Sequence, residues 1–150
     1  MTATTVDRDP YFAGQYPSKG TFPAAAATTY LAGTFAAVDA NGRASNPATG
    51  LNVLGVVACN VDNSAGANDA KTVEVRYGIF GFLATGTAPK VGQLCYVADN
   101  QTVTLTPGTI GIAGIVQEIQ TINGAPMYFF YLAPHVSGLA FAGLDANDLT

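Results

Sequence analysis

GTFAAVDANGRASNPATGLNVLGVV, residues 33–57, and GQLCYVADNQTVTLTPGTIGIAGIV, residues 92–116, follow one pattern. Offsetting the chain by 59 residues superposes Gly33 on Gly92, Val38 on Val97 and Asn41 on Asn100. The same offset lays Val53 on Ile112, Gly55 on Gly114, Val56 on Ile115 and Val57 on Val116. In each copy a strand with a Gly-x4-Val spacing leads into an Asx turn, then into an aliphatic strand with a central glycine. Two units that each expose an apolar face bury it only against one another, which is the physical reason for a duplicated β unit. Chance recurrence of the common residues Gly, Val and Ala is the alternative.

Outward from these stretches the signal stays β. Thr72-Val73-Glu74-Val75-Arg76-Tyr77 alternates apolar and polar with period 2, and the aromatic run Met127 to Leu132 reads as a strand buried on both faces. These supply a third strand to each unit, Val73–Phe82 in the first and Met127–Leu132 in the second. Their spacing differs because the loop at Asn60 to Ala70 is longer than the one around Asn123. Turn signals at Asn41-Gly42, Pro47 to Gly50, Asp99-Asn100, Pro107-Gly108 and Asn123-Gly124 punctuate the strands. No stretch of ten residues carries helical periodicity. The expected fold is all-β, a compact small β-barrel or sandwich of two related β units spanning 31–133. Gly33, Gly55, Gly92 and Gly114 are its structural glycines, with Gly55 and Gly114 expected at a bulge, a barrel bend or a close backbone approach.

The two ends read differently. Residues 1–30 interleave Pro10, Tyr11, Phe12, Tyr16, Pro17, Phe22, Pro23 and Tyr30 without period, as an extended arm, with a possible helical turn at Ala24 to Ala27. Its aromatics either fold back on their own domain or dock on a partner, and Tyr11, Phe12, Tyr16 and Phe22 are the expected contacts. Residues 134–150 form an irregular tail in which Leu139, Phe141 and Leu144 precede an acidic end, an expected subunit contact.

Several classes of function are disfavoured. Charged residues are 11% of the chain, against about 25% in ordinary soluble proteins. The net charge of −4 suits no surface built to neutralise phosphates, so nucleic acid is not an expected partner. The longest apolar run, Met127 to Ala133, is far short of the roughly 20 residues that cross a bilayer, so no membrane association is expected. The N-terminus lacks the basic and apolar segments of a secretory signal, and synthesis in a host cytoplasm is expected. Cys59 and Cys95 show no CxxC spacing and read as buried free thiols in strands. His135 stands without a Ser or Asp motif around it, and Gly78-Ile79-Phe80-Gly81 lies within a strand pattern rather than ahead of a helix. The scattered carboxylates suit turns, and the Asp62 to Asp69 loop lacks the EF-hand spacing for calcium. The residues thus predict no enzyme, no cofactor and no metal.

The order AGTFAAVDANGRAS, LNVLGVVACN, KTVEVRYGIFGFLA, KVGQLCYVADNQTVTL, IGIAGIVQEI resembles the layout of bacteriophage head decoration (capsid cement) proteins over about Leu31 to Leu132. The resemblance implies a compact β domain that forms homo-oligomers, usually trimers and in some cases dimers, on the outer surface of the virion capsid. It implies that terminal arms reach over the major capsid protein and lock the lattice against internal pressure, with no catalytic residues. The aromatic N-terminal arm is longer than in that family. A receptor- or glycan-binding module of a phage tail fibre or spike, stacking sugars on Tyr77, Tyr96 or Tyr128, is the alternative.

Overall fold

The computed structural model describes residues 18–108 and 110–133, and all regular structure among them is strand. One sheet has the order β1 (Lys19–Pro23), β7 (Thr72–Arg76), β5 (Asn52–Val57), β3 (Phe35–Val38), β4 (Ala44–Ser45). A second has the order β11 (Ile112–Ile115), β9 (Leu94–Val97), β10 (Thr102–Thr104), β8 (Gly78–Ala84), β13 (Ala125–Leu132), β12 (Glu118–Ile122). β2 (Thr28–Tyr30) and β6 (Val61–Asn63) form a separate pair. The fold is all-β, its two units compatible with a sandwich-like layout, and neither sheet is closed into a barrel by a continuous ladder.

The duplication is present in the backbone. Ala37 pairs with Ser45 and Val38 with Ala44, while 59 residues on Tyr96 pairs with Thr104 and Val97 with Val103. Both aliphatic strands carry a register shift at the same place, which leaves Leu54 and Ala113 as the extra residues of two bulges. The Gly33 N–H donates to the Val57 carbonyl at 2.9 Å, and the Gly92 N–H to the Val116 carbonyl at 2.9 Å.

The repeat extends further than the sequence pattern does. β1 and β8 correspond at an offset of 60 residues, β7 and β13 at 55, so the pair Phe22 with Val73 reappears as Phe82 with Tyr128. The parallel contact of Ala24 with Ala44 reappears as Ala84 with Val103. The Ala58 N–H donates to the Glu74 carbonyl (2.9 Å), and its counterpart Gln117 to Phe129 (2.8 Å). The units are therefore β1 to β7 and β8 to β13.

This register corrects four expectations. The core does not begin at residue 31: β1 is an edge strand of the first sheet, with Pro23 at its end, and Ala24 and Tyr30 are fully buried. No helical turn forms at Ala24 to Ala27, where Ala27 takes a left-handed φ of 53° at a turn. Val73–Phe82 is two strands rather than one, broken at Tyr77, where the chain passes from the first unit to the second. β13 is not buried on both faces; Tyr128, Phe130 and Leu132 point inward and Tyr131 outward.

Each unit has its own core, and the first unit contributes to both. Ala36, Leu54 and Val57 join Tyr30, Val73 and Val75 inside the first unit. Phe35, Val53 and Val56 point the other way, into the cluster built around Cys95, Val103, Tyr128 and Phe130. The Phe35 and Phe82 rings stack with centroids 3.8 Å apart and an interplanar angle of 12°.

Candidate interaction surfaces

The four glycines serve the backbone, and the equivalent pair Gly55 and Gly114 do so for different reasons. A Cβ on Gly55 would lie 2.2 Å from the Arg76 carbonyl oxygen, at the end of the stretch where β7 pairs beside β5. Gly114 has room, its nearest neighbour being the Phe130 ring at 3.8 Å, but its φ of +133° belongs to a region that side chains rarely adopt. Gly33 and Gly92 share nearly the same left-handed turn, with φ of +84° and +89°.

The expected contact residues Tyr11, Phe12, Tyr16, Leu139, Phe141 and Leu144, and also His135, lie outside the described residues. Phe22 is described, and it corrects the reading of the arm: it sits in β1 and packs against the first unit's own core. The tyrosines offered as sugar-stacking surfaces fare poorly. Tyr96 and Tyr128 are buried, and Tyr77 is packed against the first core, where burial raises its pKa. The cysteines also divide. Both are free, but Cys59 is exposed at a bend after β5 rather than buried in a strand, while burial in β9 pushes the Cys95 thiol up to about 11.

Asp39, Asp62 and Asp99 hold turns, as their positions suggested, while Glu74 and Glu118 lie in β7 and β12. Asp39 Oδ1 accepts from the Asn41 and Arg43 N–H groups, and Asp99 Oδ1 from those of Gln101 and Thr102. The Gln101 bond is the leading cause that holds the Asp99 carboxyl below its ordinary range. Asp62 is lowered chiefly by hydrogen bonding from Ser64, and Asp69 by the Arg43 guanidinium at 2.7 and 3.0 Å. Among the described residues no three His, Cys, Asp or Glu side chains come together as a metal site would require. No helix there is long and apolar enough to cross a membrane.

One buried polar device escaped the sequence reading. In the second unit the Thr85 N–H donates directly to the Val103 carbonyl at 2.9 Å. In the first unit Tyr30 stands between the equivalent groups: its hydroxyl accepts from the Ala25 N–H (2.9 Å) and donates to the Ala44 carbonyl (2.7 Å). The tyrosine fills the end of its unit while its hydroxyl satisfies two backbone groups that would otherwise be unpaired.

The surface itself differs sharply between the units. On the outer face of the first, β1 and β7 present Lys19, Thr21, Pro23, Thr72, Glu74 and Arg76, with Lys19 Nζ 3.8 Å from Glu74 Oε2. The equivalent positions of β8 and β13 are Ile79, Gly81, Leu83, Met127, Phe129 and Tyr131. Ile79 is 58% exposed, Leu83 43% and Tyr131 37%. The Phe129 ring lies over Gly81, where an added Cβ would come within 2.8 Å of it. On the exposed strand β12, Glu118 and Gln120 pair beside Phe129 and Met127, and the exposed Ile122 pairs beside Ala125, so this edge of the face is part polar and part apolar. The polarity swap is present in the sequence, but it becomes legible only once β1 is aligned with β8.

No protein-family model matches the chain, and no match is found among curated proteins or among solved structures.

Proposed function

We propose that the protein is a virion structural protein, a decoration or cement subunit that binds the outside of a bacteriophage head and stabilises the lattice of the major capsid protein. The observation that carries the reading is the division of apolar residues. Among the described residues the two hydrophobic clusters draw on side chains from Phe22 to Leu132, and the sequence before β1 holds Tyr11, Phe12 and Tyr16 beside Pro10 and Pro17. Aromatic side chains lose little conformational entropy on docking and fill pockets on a partner. The scarcity of charge supports attachment by shape and apolar contact, and the net charge of −4 supports a position away from packaged DNA. The arm would then anchor the subunit, and a homo-oligomer, trimer or dimer, would spread the load over neighbouring capsid subunits.

The test is co-sedimentation with expanded phage heads. The full chain carrying Tyr11→Ala, Phe12→Ala and Tyr16→Ala is expected to lose attachment at least tenfold while its thermal midpoint stays within 2 °C or so of the parent, since surface substitutions cost little stability. Binding at parental affinity would remove the anchor and with it the main support for the reading.

A further inference from the structure

Of the sheet edges among the described residues, one lacks the features that keep strand edges from pairing. β1 carries Lys19 and Pro23, β4 is two residues long, β2 and β6 are three each, and β11 is interrupted by its bulge. β12 has five residues, all exposed and in unbroken register with β13, and holds no proline, glycine or lysine. Ile119 and Ile122 are its exposed apolar side chains, and Ile122 continues the apolar outer face of β13. The hairpin decides which main-chain groups this edge offers. Asn123 and Gly124, with φ of 52° and 80°, form a two-residue turn whose flanking residues Ile122 and Ala125 are hydrogen-bonded to each other. Bonded and non-bonded pairs alternate along an antiparallel ladder, so Glu118, Gln120 and Ile122 bond to β13 while the N–H and C=O groups of Ile119 and Thr121 point away from it.

We infer that two copies of the chain pair through β12, antiparallel, about a two-fold axis at Gln120. The outward groups are self-complementary in that register: Ile119 lies opposite Thr121 of the other copy and Thr121 opposite its Ile119, each pair exchanging two hydrogen bonds. Sliding one strand by two residues leaves a single such pair within β12. The side chains agree with this register. Ile119 meets Thr121 as a β-branched cross-strand pair, and Gln120 meets Gln120, whose amides both donate and accept. Glu118 meets Ile122, which keeps the two glutamates about 14 Å apart along the strands. Pairing consumes both free edges, so assembly through β12 stops at two. The interface is small, and the dimer belongs to the weak class that dissociates in the micromolar range. The inference concerns the free protein and does not rest on capsid attachment: a monomer that binds heads would overturn it and leave that reading standing.

Sedimentation velocity of the full chain from about 1 to about 300 µM is expected to show monomers passing into dimers. Gln120→Lys sets two like charges opposite each other and should weaken the dimer at least tenfold, while its thermal midpoint stays within 2 °C or so of the parent. An equimolar mixture with Gln120→Glu should recover the dimer. Cysteine trapping reads the register directly. With Cys59→Ser to remove the exposed thiol, Gln120→Cys should oxidise to a disulfide-linked dimer, because directly opposed non-bonded pairs stand about 4.5 Å apart at Cα, within disulfide reach. Ile122→Cys in the same background should form no such link. A monomer or a trimer at every concentration, a dimer indifferent to Gln120→Lys, or a cross-link at 122 in place of 120 overturns the inference.

Discussion

The two units share strand order, bulge position and hydrogen-bond register, yet each is held and finished by different means. The first unit turns Phe35, Val53 and Val56 outward and has them buried by the second, while their counterparts include a half-buried Leu94 and an Ile115 that is 50% exposed. Gly55 is demanded by a neighbouring carbonyl and Gly114 by its own φ. A tyrosine hydroxyl bridges the first unit where a direct backbone bond closes the second. A duplicated β scaffold thus keeps its backbone geometry while its side chains diverge, because register depends on main-chain hydrogen bonds and on which face is buried, not on residue identity.

Each asymmetry can be broken. The largest effect is expected at the seam between the units. Phe35→Ala removes a fully buried ring stacked on Phe82 and should cost about 3–5 kcal/mol, against less than about 2 for Leu94→Ala at the equivalent place. Urea unfolding of both variants measures the difference, and equal losses would mean that Phe35 does not join the units.

Next come the glycines. Gly55→Val forces a side chain into the Arg76 carbonyl and is expected to cost about 3 kcal/mol, whereas Gly114→Ala pays only for its backbone conformation, about 1–3 kcal/mol. An unchanged thermal midpoint for Gly55→Val would refute the close approach of β7. A smaller loss, about 1–3 kcal/mol, should follow Tyr30→Phe, which keeps the ring but strands the Ala25 N–H and the Ala44 carbonyl. If that variant is as stable as the parent, the hydroxyl bridge contributes nothing.

The smallest effect is the response to acid. Asp62, Asp69 and Asp99 all hold their carboxyls below the ordinary range, so the folded state takes up protons less readily than the unfolded one. Their contribution is present above the ordinary carboxylate pKa of about 4 and is lost as pH falls through and below it. The urea midpoint should therefore fall between about pH 5 and pH 2.5. Asp99→Asn, which removes the second unit's member of the set, should make that fall shallower.

Much of the fold was legible in residues 33–57 and 92–116, because a left-handed turn and a bulge leave glycines at fixed intervals. The outer strands were not. Lys19–Pro23 and the matching residues 79–83 share only the inward phenylalanines Phe22 and Phe82, and the offset changes from 60 to 59 and then to 55 along the chain. For the same reason β1 looked like part of an arm: its prolines and aromatics carry no period, and only pairing with β7 makes it a strand. Of the candidate contact residues, Phe22 went to the core because an aromatic at a sheet edge is more stable folded inward than exposed. Nothing local marked Tyr30, whose partners at Ala25 and Ala44 meet it only in the folded chain.

By itself, then, the sequence determined that this is an all-β protein, that its aliphatic strands recur with a central glycine, and that its charge is sparse. Those properties follow from residue type and spacing, which act over a few neighbours. The tertiary structure decided where one unit ends and the next begins, which of two equivalent glycines is sterically trapped, and that one outer face is polar while its twin is apolar. These depend on pairings between residues far apart in the chain, and pairing is fixed only when all the strands have found their register together.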